Sequence, residues 1–294
     1  MDPVAAMLHA LDLAETGART NEDIFTGPSQ WMPHGRVFGG QVLAQSIVAA
    51  SRTLPDERLI HSLHGYFLRP GDVGKGVTLG VDRIHDGRSF STRRVQTFQD
   101  GVPIMSLIAS FQPEQDGVDH QLDMPSGLPG PESLKSVSEL LAGIEHPAAQ
   151  FWTVARPFDI RYVDAPVYLP LADTGERVAH QAVWLRAKER LPDDPVLHRA
   201  ALAYASDYTI LEPVLRRHGL AWATPGMKMA SLDHAMWWHR PARADEWLLF
   251  VGDSPSAQGG RGLAHARVYR EDGVLAASLA QEGMIRVPGD TSGR

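Results

Sequence analysis

Three polar residues stand among apolar neighbours in the second half of the chain, and together they could hold one water molecule. Asp207 lies between Tyr204 and Tyr208, at the edge of a stripe in which Leu197, Ala201, Tyr204, Tyr208 and Leu211 are spaced 4, 3, 4 and 3 residues apart. A carboxylate there is partly stripped of water, which raises its pKa unless donors hold its charge. That is one way to make a general base or a water-holding group. From this helix alone a second reading stands beside it: Ser206 or Asp207 caps a further helical segment beginning near Thr209. Ser231 opens a strand-like run that ends in Trp237-Trp238-His239, and Gln281 interrupts the apolar run that starts at Leu275. A buried amide without partners is costly, so a hydrogen bond to backbone competes with a role in a site. Asp, Ser and Gln converging on one water would satisfy all three.

The elements that would position them are legible in outline. Asp2-Pro3 predicts a capped helix start, followed by Val4, Met7, Leu8 and Leu11 on one face and a stop at Gly17. A second helix follows Gly39-Gly40, with Leu43, Ile47, Ala50 and Leu54 on one side. Strands are predicted at Ile60–Leu68, Val77–Ile84, Ser89–Phe98 and Pro103–Gln112, with Asp86-Gly87 and Asp100-Gly101 as hairpin turns. The nearly continuous apolar run Pro103–Phe111 reads as a central strand covered on both faces. Residues 113 to 148 are rich in Pro, Gly, Ser and acidic residues and read as a surface linker with a short helix at Glu132–Ile144. Strand-like runs resume at Phe158–Val163 and Val178–Arg186. Asp194-Pro195 then starts a helix running toward Gly219, and four strand-like runs follow: Met227–Trp238, Glu246–Val251, Leu263–Tyr269 and Val274–Arg286.

The two halves repeat. One strand ends in Arg69-Pro70 and another in Arg240-Pro241, an offset of 171; Asp100-Gly101-Val102 recurs as Asp272-Gly273-Val274, an offset of 172. Gln281 then falls where the first half has Ala109. Each half reads as a long apolar helix followed by an antiparallel meander, an α+β arrangement. Two such units side by side would form one continuous sheet with the helices on its concave side. The expected organisation is an N-terminal unit at 1–115, a linker at 116–150 and a C-terminal unit at 151–294.

Bulk composition narrows the classes. The 294 residues carry a formal charge of −7, which argues against a nucleic-acid binder. There is no cysteine, hence no disulfide framework and no thiol nucleophile. No apolar run reaches the length of a membrane span, and Met1-Asp2-Pro3 lacks the basic start of a signal peptide, so a cytoplasmic protein is expected. No Gly-x-Ser-x-Gly elbow exists, and Gly259-Gly260-Arg261-Gly262 is too short for a dinucleotide loop. His61, His64, His234 and His239 lack a third ligand at metal-binding spacing, so no metal is expected, and His64 and His234 read as core or edge hydrogen-bonders.

Longer motifs carry a resemblance. Tyr204-Ala-Ser-Asp207, Ala230-Ser-Leu-Asp-His-Ala-Met-Trp-Trp-His-Arg-Pro241, Gly260-Arg-Gly262 and Gln281-Glu-Gly283 resemble the acyl-CoA thioesterase II family. So do Gly35-Arg-Val-Phe-Gly-Gly-Gln41, His61-Ser-Leu-His-Gly-Tyr-Phe-Leu-Arg-Pro-Gly71 and Asp86-Gly-Arg-Ser-Phe-Ser-Thr-Arg93. The resemblance implies a double hotdog fold and hydrolysis of fatty acyl-CoA, of medium to long chain, to free acid and CoA. It also implies that Asp207, Ser231 and Gln281 orient the attacking water, Ser231 standing where many members have Thr. No cofactor is implied, and a homodimer or higher homo-oligomer is expected. Arg93, Arg94, Arg261 and Arg267 are candidates for the CoA phosphates, set against the plainer reading of solvated charges. Arg93 and Arg94 alternate faces on one strand, so at most one of them points at any site. Two alternatives remain: a non-catalytic acyl-CoA sensor or scaffold, and a hotdog enoyl-CoA hydratase. The latter family places a catalytic His five residues after its Asp, where this chain has Glu212.

Overall fold

The computed structural model describes residues 2–19, 22–55, 57–145, 149, 151–168 and 177–287. Helix α1 (Pro3–Leu11) starts as the sequence predicts: the Asp2 carboxylate accepts from the N–H groups of Val4 and Ala5, and Pro3 occupies the first turn. It ends at Leu11, not at Gly17, because the chain turns at once into strand β1 (Ala14–Arg19), which pairs with β2 (Asp23–Gly27). Then come α2 (Gly39–Ser51) and the meander β3 (Arg58–Phe67), β4 (Val77–Asp86), β5 (Ser91–Gln99) and β6 (Val102–Pro113). The Asp100-Gly101 turn places both residues at positive φ, 49° and 75°, the twist that a tight hairpin requires.

The second half repeats the plan. After a short helix α3 (Val137–Leu140) come β7 (Phe158–Tyr162), β8 (His180–Ala187), α4 (Pro195–Ser206), α5 (Glu212–His218), β9 (Lys228–Ser231), β10 (Asp233–Trp238), β11 (Leu248–Gln258), β12 (Arg261–Arg270) and β13 (Leu275–Arg286). The helix expected to run from Pro195 toward Gly219 is two helices, separated by a turn at residues 207–211. Gly219, at φ 64°, closes the second in the left-handed conformation.

All strands belong to one antiparallel sheet in the order β1-β2-β4-β5-β6-β3-β10-β13-β12-β11-β8-β7, with β9 paired to β13. The halves meet where β3 pairs with β10, His64 opposite Ala235, Tyr66 opposite Asp233 and Ser62 opposite Trp237. This ladder is centred on the pair His64–Ala235, two residues 171 positions apart. The centre of the junction thus falls on two residues related by the offset of the Arg-Pro turns.

Both long helices lie against the concave face and touch each other. Leu43, Ala44 and Ile47 of α2 and Ala200, Ala201 and Ala203 of α4 are fully or almost fully buried. Small residues let the two helices approach closely. A Cβ added at Gly40 would lie 2.3 Å from the Tyr204 carbonyl oxygen, so no side chain fits there without moving a helix. The convex face is treated differently in the two halves. Residues 116–136 do cross the surface, but they also pack: Met124, Leu128 and Leu134 cover a separate cluster of Trp184, Trp247, Leu249, Val251 and Tyr269 on the C-terminal half. Gln121 ties this strap to β13 by accepting from the Leu275 N–H and donating to the Gly273 carbonyl. The helix expected at Glu132–Ile144 is reduced to a 3₁₀ turn at Pro131–Ser133 and α3, the latter closed by a capping box between Ser136 and Glu139. Among the described residues no such strap lies over β6 in the N-terminal half. Ile108 is 49% exposed, so this strand is covered on one face only, contrary to its apolar run. Among the described residues no helix is long and apolar enough to cross a membrane.

Gly40→Ala tests the helix contact. The methyl group has to displace backbone, and a loss of about 1–3 kcal/mol is expected. It should appear as a lower urea midpoint with an unchanged slope; an unaltered midpoint would mean that the helices are not held this close.

Candidate active site

Asp207, Ser231 and Gln281 reach one point from three separate elements. Asp207 is the first residue beyond α4 and keeps a helical backbone, φ −75° and ψ −7°. Ser231 closes β9 beside Gly283, and the chain breaks at Leu232 before resuming as β10. Gln281 lies on the concave side of β13, 1% exposed. The Ser231 hydroxyl donates to Asp207 Oδ1 at 3.1 Å, and Gln281 Nε2 donates to the same oxygen at 3.0 Å and to Ser231 Oγ at 2.7 Å.

The other carboxylate oxygen, Oδ2, accepts from the backbone N–H of Gly40 at 2.9 Å. Asp207 does therefore cap a helix, but not the one that follows it. It caps α2 of the other half, and α5 begins at Leu211 without any side-chain cap. The first turn of a helix favours negative charge, so the N-terminal half contributes an electrostatic partner to a residue of the C-terminal half. A Cβ at Gly39 would come within 2.7 Å of Asp207 Oδ2 and 3.0 Å of the Phe67 ring, so the Gly-Gly start of α2 is what admits the carboxylate.

Burial pushes the Asp207 pKa up from the ordinary carboxylate value, against the opposing pull of His234, Gln281, Ser231 and the Gly40 amide. Around it stand aromatic rings: Phe38 stacks on Tyr208 at 4.7 Å and meets Tyr204 edge-on at 5.1 Å. Behind Tyr208 lies the Arg156 guanidinium, 4.5 Å from the ring centroid. Glu212, where a hydratase would need its His, is buried. Its carboxylate accepts from Tyr162, Gln181 and Trp222, a full set of neutral donors. Its pKa too is raised by burial.

Two groups at the site were not singled out for it by spacing. Gly40 carried a signal, since two glycines rarely open an apolar helix without a reason of close approach. His234 reads in sequence only as a core or edge hydrogen-bonder. It is fully buried, with Nδ1 against Gln281 Oε1 and Nε2 3.2 Å from Ser206 Oγ. His64, by contrast, is exposed and stands edge-on to Trp237 at 5.1 Å, so it is not a core residue. Among the described residues no cluster of His, Asp and Glu could hold a metal ion.

The arginine candidates separate. Arg93 is 1% exposed, and its guanidinium is spent on Thr53, His85, Thr92 and Asp86. It is a core residue and is corrected from the phosphate candidates on that ground: a phosphate could reach it only by stripping those partners. Arg94 points to the opposite face and pairs with Asp82; Arg261 pairs with Glu282 at 2.9 Å and Arg267 stands 3.9 Å from Asp253. Replacing Arg93 by Met should cost about 1–3 kcal/mol through acceptors left unpaired, and should leave KM for the acyl-CoA substrate that the resemblance implies unchanged in the folded variant. A raised KM at unchanged stability would return Arg93 to the substrate.

A family profile described as acyl-CoA thioesterase matches residues 157–284, and one described as the acyl-CoA thioesterase N-terminal domain matches residues 27–112. Acyl-coenzyme A thioesterase 8 of Homo sapiens is 39% identical over 279 residues, covering 91% of this chain and 86% of that protein. Acyl-CoA thioesterase 2 of Haemophilus influenzae is 34% identical over 285 residues, covering 95% and 96%. The crystal structure of an acyl-CoA thioesterase II from Mycobacterium marinum superposes with a TM-score of 0.78 at 41% identity, covering 96% of this chain and 99% of that one. A hot dog fold protein from Alicyclobacillus acidocaldarius, at 19% identity and a TM-score of 0.76 over 96% and 98% of the two chains, shares the fold.

Proposed function

Because the chain belongs to the acyl-CoA thioesterase family, of the thioesterase II type with a double hotdog fold, and is by that membership an acyl-CoA hydrolase, we propose that Asp207, Ser231 and Gln281 are its catalytic residues. The observation that carries this reading is their convergence: two side chains, from β9 and β13, donate to one oxygen of the Asp207 carboxylate, and a helix start donates to the other.

Oδ1 of Asp207 already accepts two hydrogen bonds, whereas Oδ2 accepts the Gly40 N–H and keeps a lone pair for a water. That water gives a proton to Oδ2 as its oxygen bonds to the thioester carbonyl carbon. The tetrahedral adduct collapses with cleavage of the C–S bond, and sulfur leaves with the electron pair. A thiol with a pKa of about 8.5 can depart as thiolate, so no strong general acid is needed. The proton on Asp207 then returns to solvent or to the thiolate, and the products are free acid and CoA. Ser231 and Gln281 hold the carboxylate in place, a contribution of geometry more than of charge. Fatty acyl chains of medium to long length are the proposed substrates, a reading that rests on the family resemblance.

Thiol release from acyl-CoAs of two to eighteen carbons is the test. Activity should peak at medium or long chains, and Asp207→Ala or Asp207→Asn should lower kcat by about 10²–10⁴-fold, the usual worth of a general base. Since burial raises the Asp207 pKa, the base is lost on acidification earlier than an exposed carboxylate would be. The acid limb of kcat/KM should therefore lie above the ordinary Asp range and be absent from the residual activity of Asp207→Asn. A folded Asp207→Ala within a few-fold of wild type sinks the assignment; binding without turnover at every chain length favours a sensor.

We further propose that a second copy covers the convex strip formed by Tyr66, Ile108 and Trp237, which are 63%, 49% and 37% exposed on neighbouring strands. Light scattering should give at least a dimer mass for the wild type and a smaller mass for Trp237→Glu combined with Ile108→Glu. A monomeric wild type would overturn this assembly.

A further inference from the structure

We propose that His234 is a positioning residue of this site: the proton on its Nδ1 orients the Gln281 amide so that the NH₂ end faces Asp207 and Ser231. The inference rests on the catalytic reading above and adds to it a residue with no contact to the reacting atoms.

Hydrogen-bond bookkeeping at Gln281 leaves little choice. Its Nε2 has two hydrogens, and two acceptors stand at bonding distance, Asp207 Oδ1 at 3.0 Å and Ser231 Oγ at 2.7 Å. The Ser231 hydroxyl then has its own hydrogen free for Asp207 Oδ1 at 3.1 Å. Every hydrogen on that side has a place only if the amide is in this orientation. Its oxygen, Oε1, is turned to His234 Nδ1 and needs a donor. Both side chains are 1% exposed, so water does not compete for the role.

The neutral imidazole can meet that need in one tautomer only. With the proton on Nδ1 the ring donates to Oε1, and its bare Nε2 faces Ser206 Oγ at 3.2 Å. The Ser206 hydroxyl also lies 2.8 Å from the Ala203 carbonyl and can turn its hydrogen to either acceptor. With the proton on Nε2 alone, Nδ1 and Oε1 would be two acceptors in contact. The relief available is to turn the amide over, which sets Oε1 against the Asp207 carboxylate. With Asp207 ionised, as a base must be, an acceptor–acceptor clash is thus unavoidable at one end of Gln281 unless Nδ1 carries the proton. The polarity of the array, from Ser206 through His234 and Gln281 to Asp207, is decided at one ring nitrogen. The Asp233 carboxylate beside His234 in the chain is engaged elsewhere, accepting from the Glu282 N–H at 2.7 Å.

Asn and Gln substitutions at this position separate the two nitrogens. Asn can place its NH₂ where the ring has Nδ1, while Gln reaches the place of Nε2. Steady-state hydrolysis of decanoyl-CoA by the full chain should show His234→Asn within about threefold of wild type. His234→Gln should lose about 10- to 100-fold in kcat, the scale of a misplaced catalytic group, with KM changed less than about threefold. In a double-mutant cycle, His234→Gln should add almost nothing to the loss caused by Gln281→Ala, because it acts through that residue. If neither variant folds, side-chain ¹⁵N NMR of wild-type histidines decides: a buried neutral ring protonated at Nδ1 is expected. A ring protonated at Nε2 alone, a Gln variant as active as the Asn variant, or full additivity with Gln281→Ala overturns the inference. Asp207→Ala is measured alongside. If it retains activity, the catalytic reading fails first; if it is inactive while the His234 criteria fail, only this inference falls.

Discussion

The pairing of β3 with β10 is the contact on which the rest depends. It joins two sheets edge to edge and leaves both helices on one concave side. Without it, β3 and β10 would each be an open edge, and the N-terminal end of α2 would have no reason to lie against the C-terminal end of α4. With it, the Gly40 amide meets Asp207 across 167 residues of sequence. A carboxylate that burial would otherwise neutralise is given a helix start, a hydroxyl and an amide as donors.

The duplication is symmetric in architecture and asymmetric in chemistry. The junction is centred on two residues that the repeat relates, His64 and Ala235, yet Gln281 occupies the place of Ala109 on its strand, and only the second half supplies the carboxylate. The first half serves instead as the wall and the helix start. Its own buried amides, Gln41 and Gln45, are tied to the carbonyls of Pro28 and Ala10 and hold α2 in position against α1. Tyr204 of α4 joins this network by donating to Gln30. Amide groups thus anchor the helix in one half, while in the other a single amide joins the site.

Two further buried charged groups each fix geometry within one half. Glu212 collects three donors behind Tyr208, and Arg93 is enclosed by carbonyls, a hydroxyl and one carboxylate. The linker adds an apolar strap over one convex face and leaves the strip around Ile108 open. The two convex faces are therefore not equivalent surfaces, although the strands beneath them are related by the repeat.

Much was determined by the residues in order. Asp-Pro starts, Asp-Gly hairpins, apolar periodicity and the 171-residue offset all act locally or by repetition, so they are legible without coordinates. The types of Asp207, Ser231 and Gln281 marked them as exceptions in apolar runs, but the word hydrolase came from longer motifs shared with a family. Only tertiary structure decided that Asp207 caps a helix of the other half, since a cap reads as local in sequence and this one is not. The same holds for His234 and Arg93. One is drawn into the site by a neighbouring strand, and the other is withdrawn from the surface by the inward face of its own. A strand pattern gives the alternation of faces but not which face the sheet's curvature encloses, and that choice belongs to the packing of the two halves together.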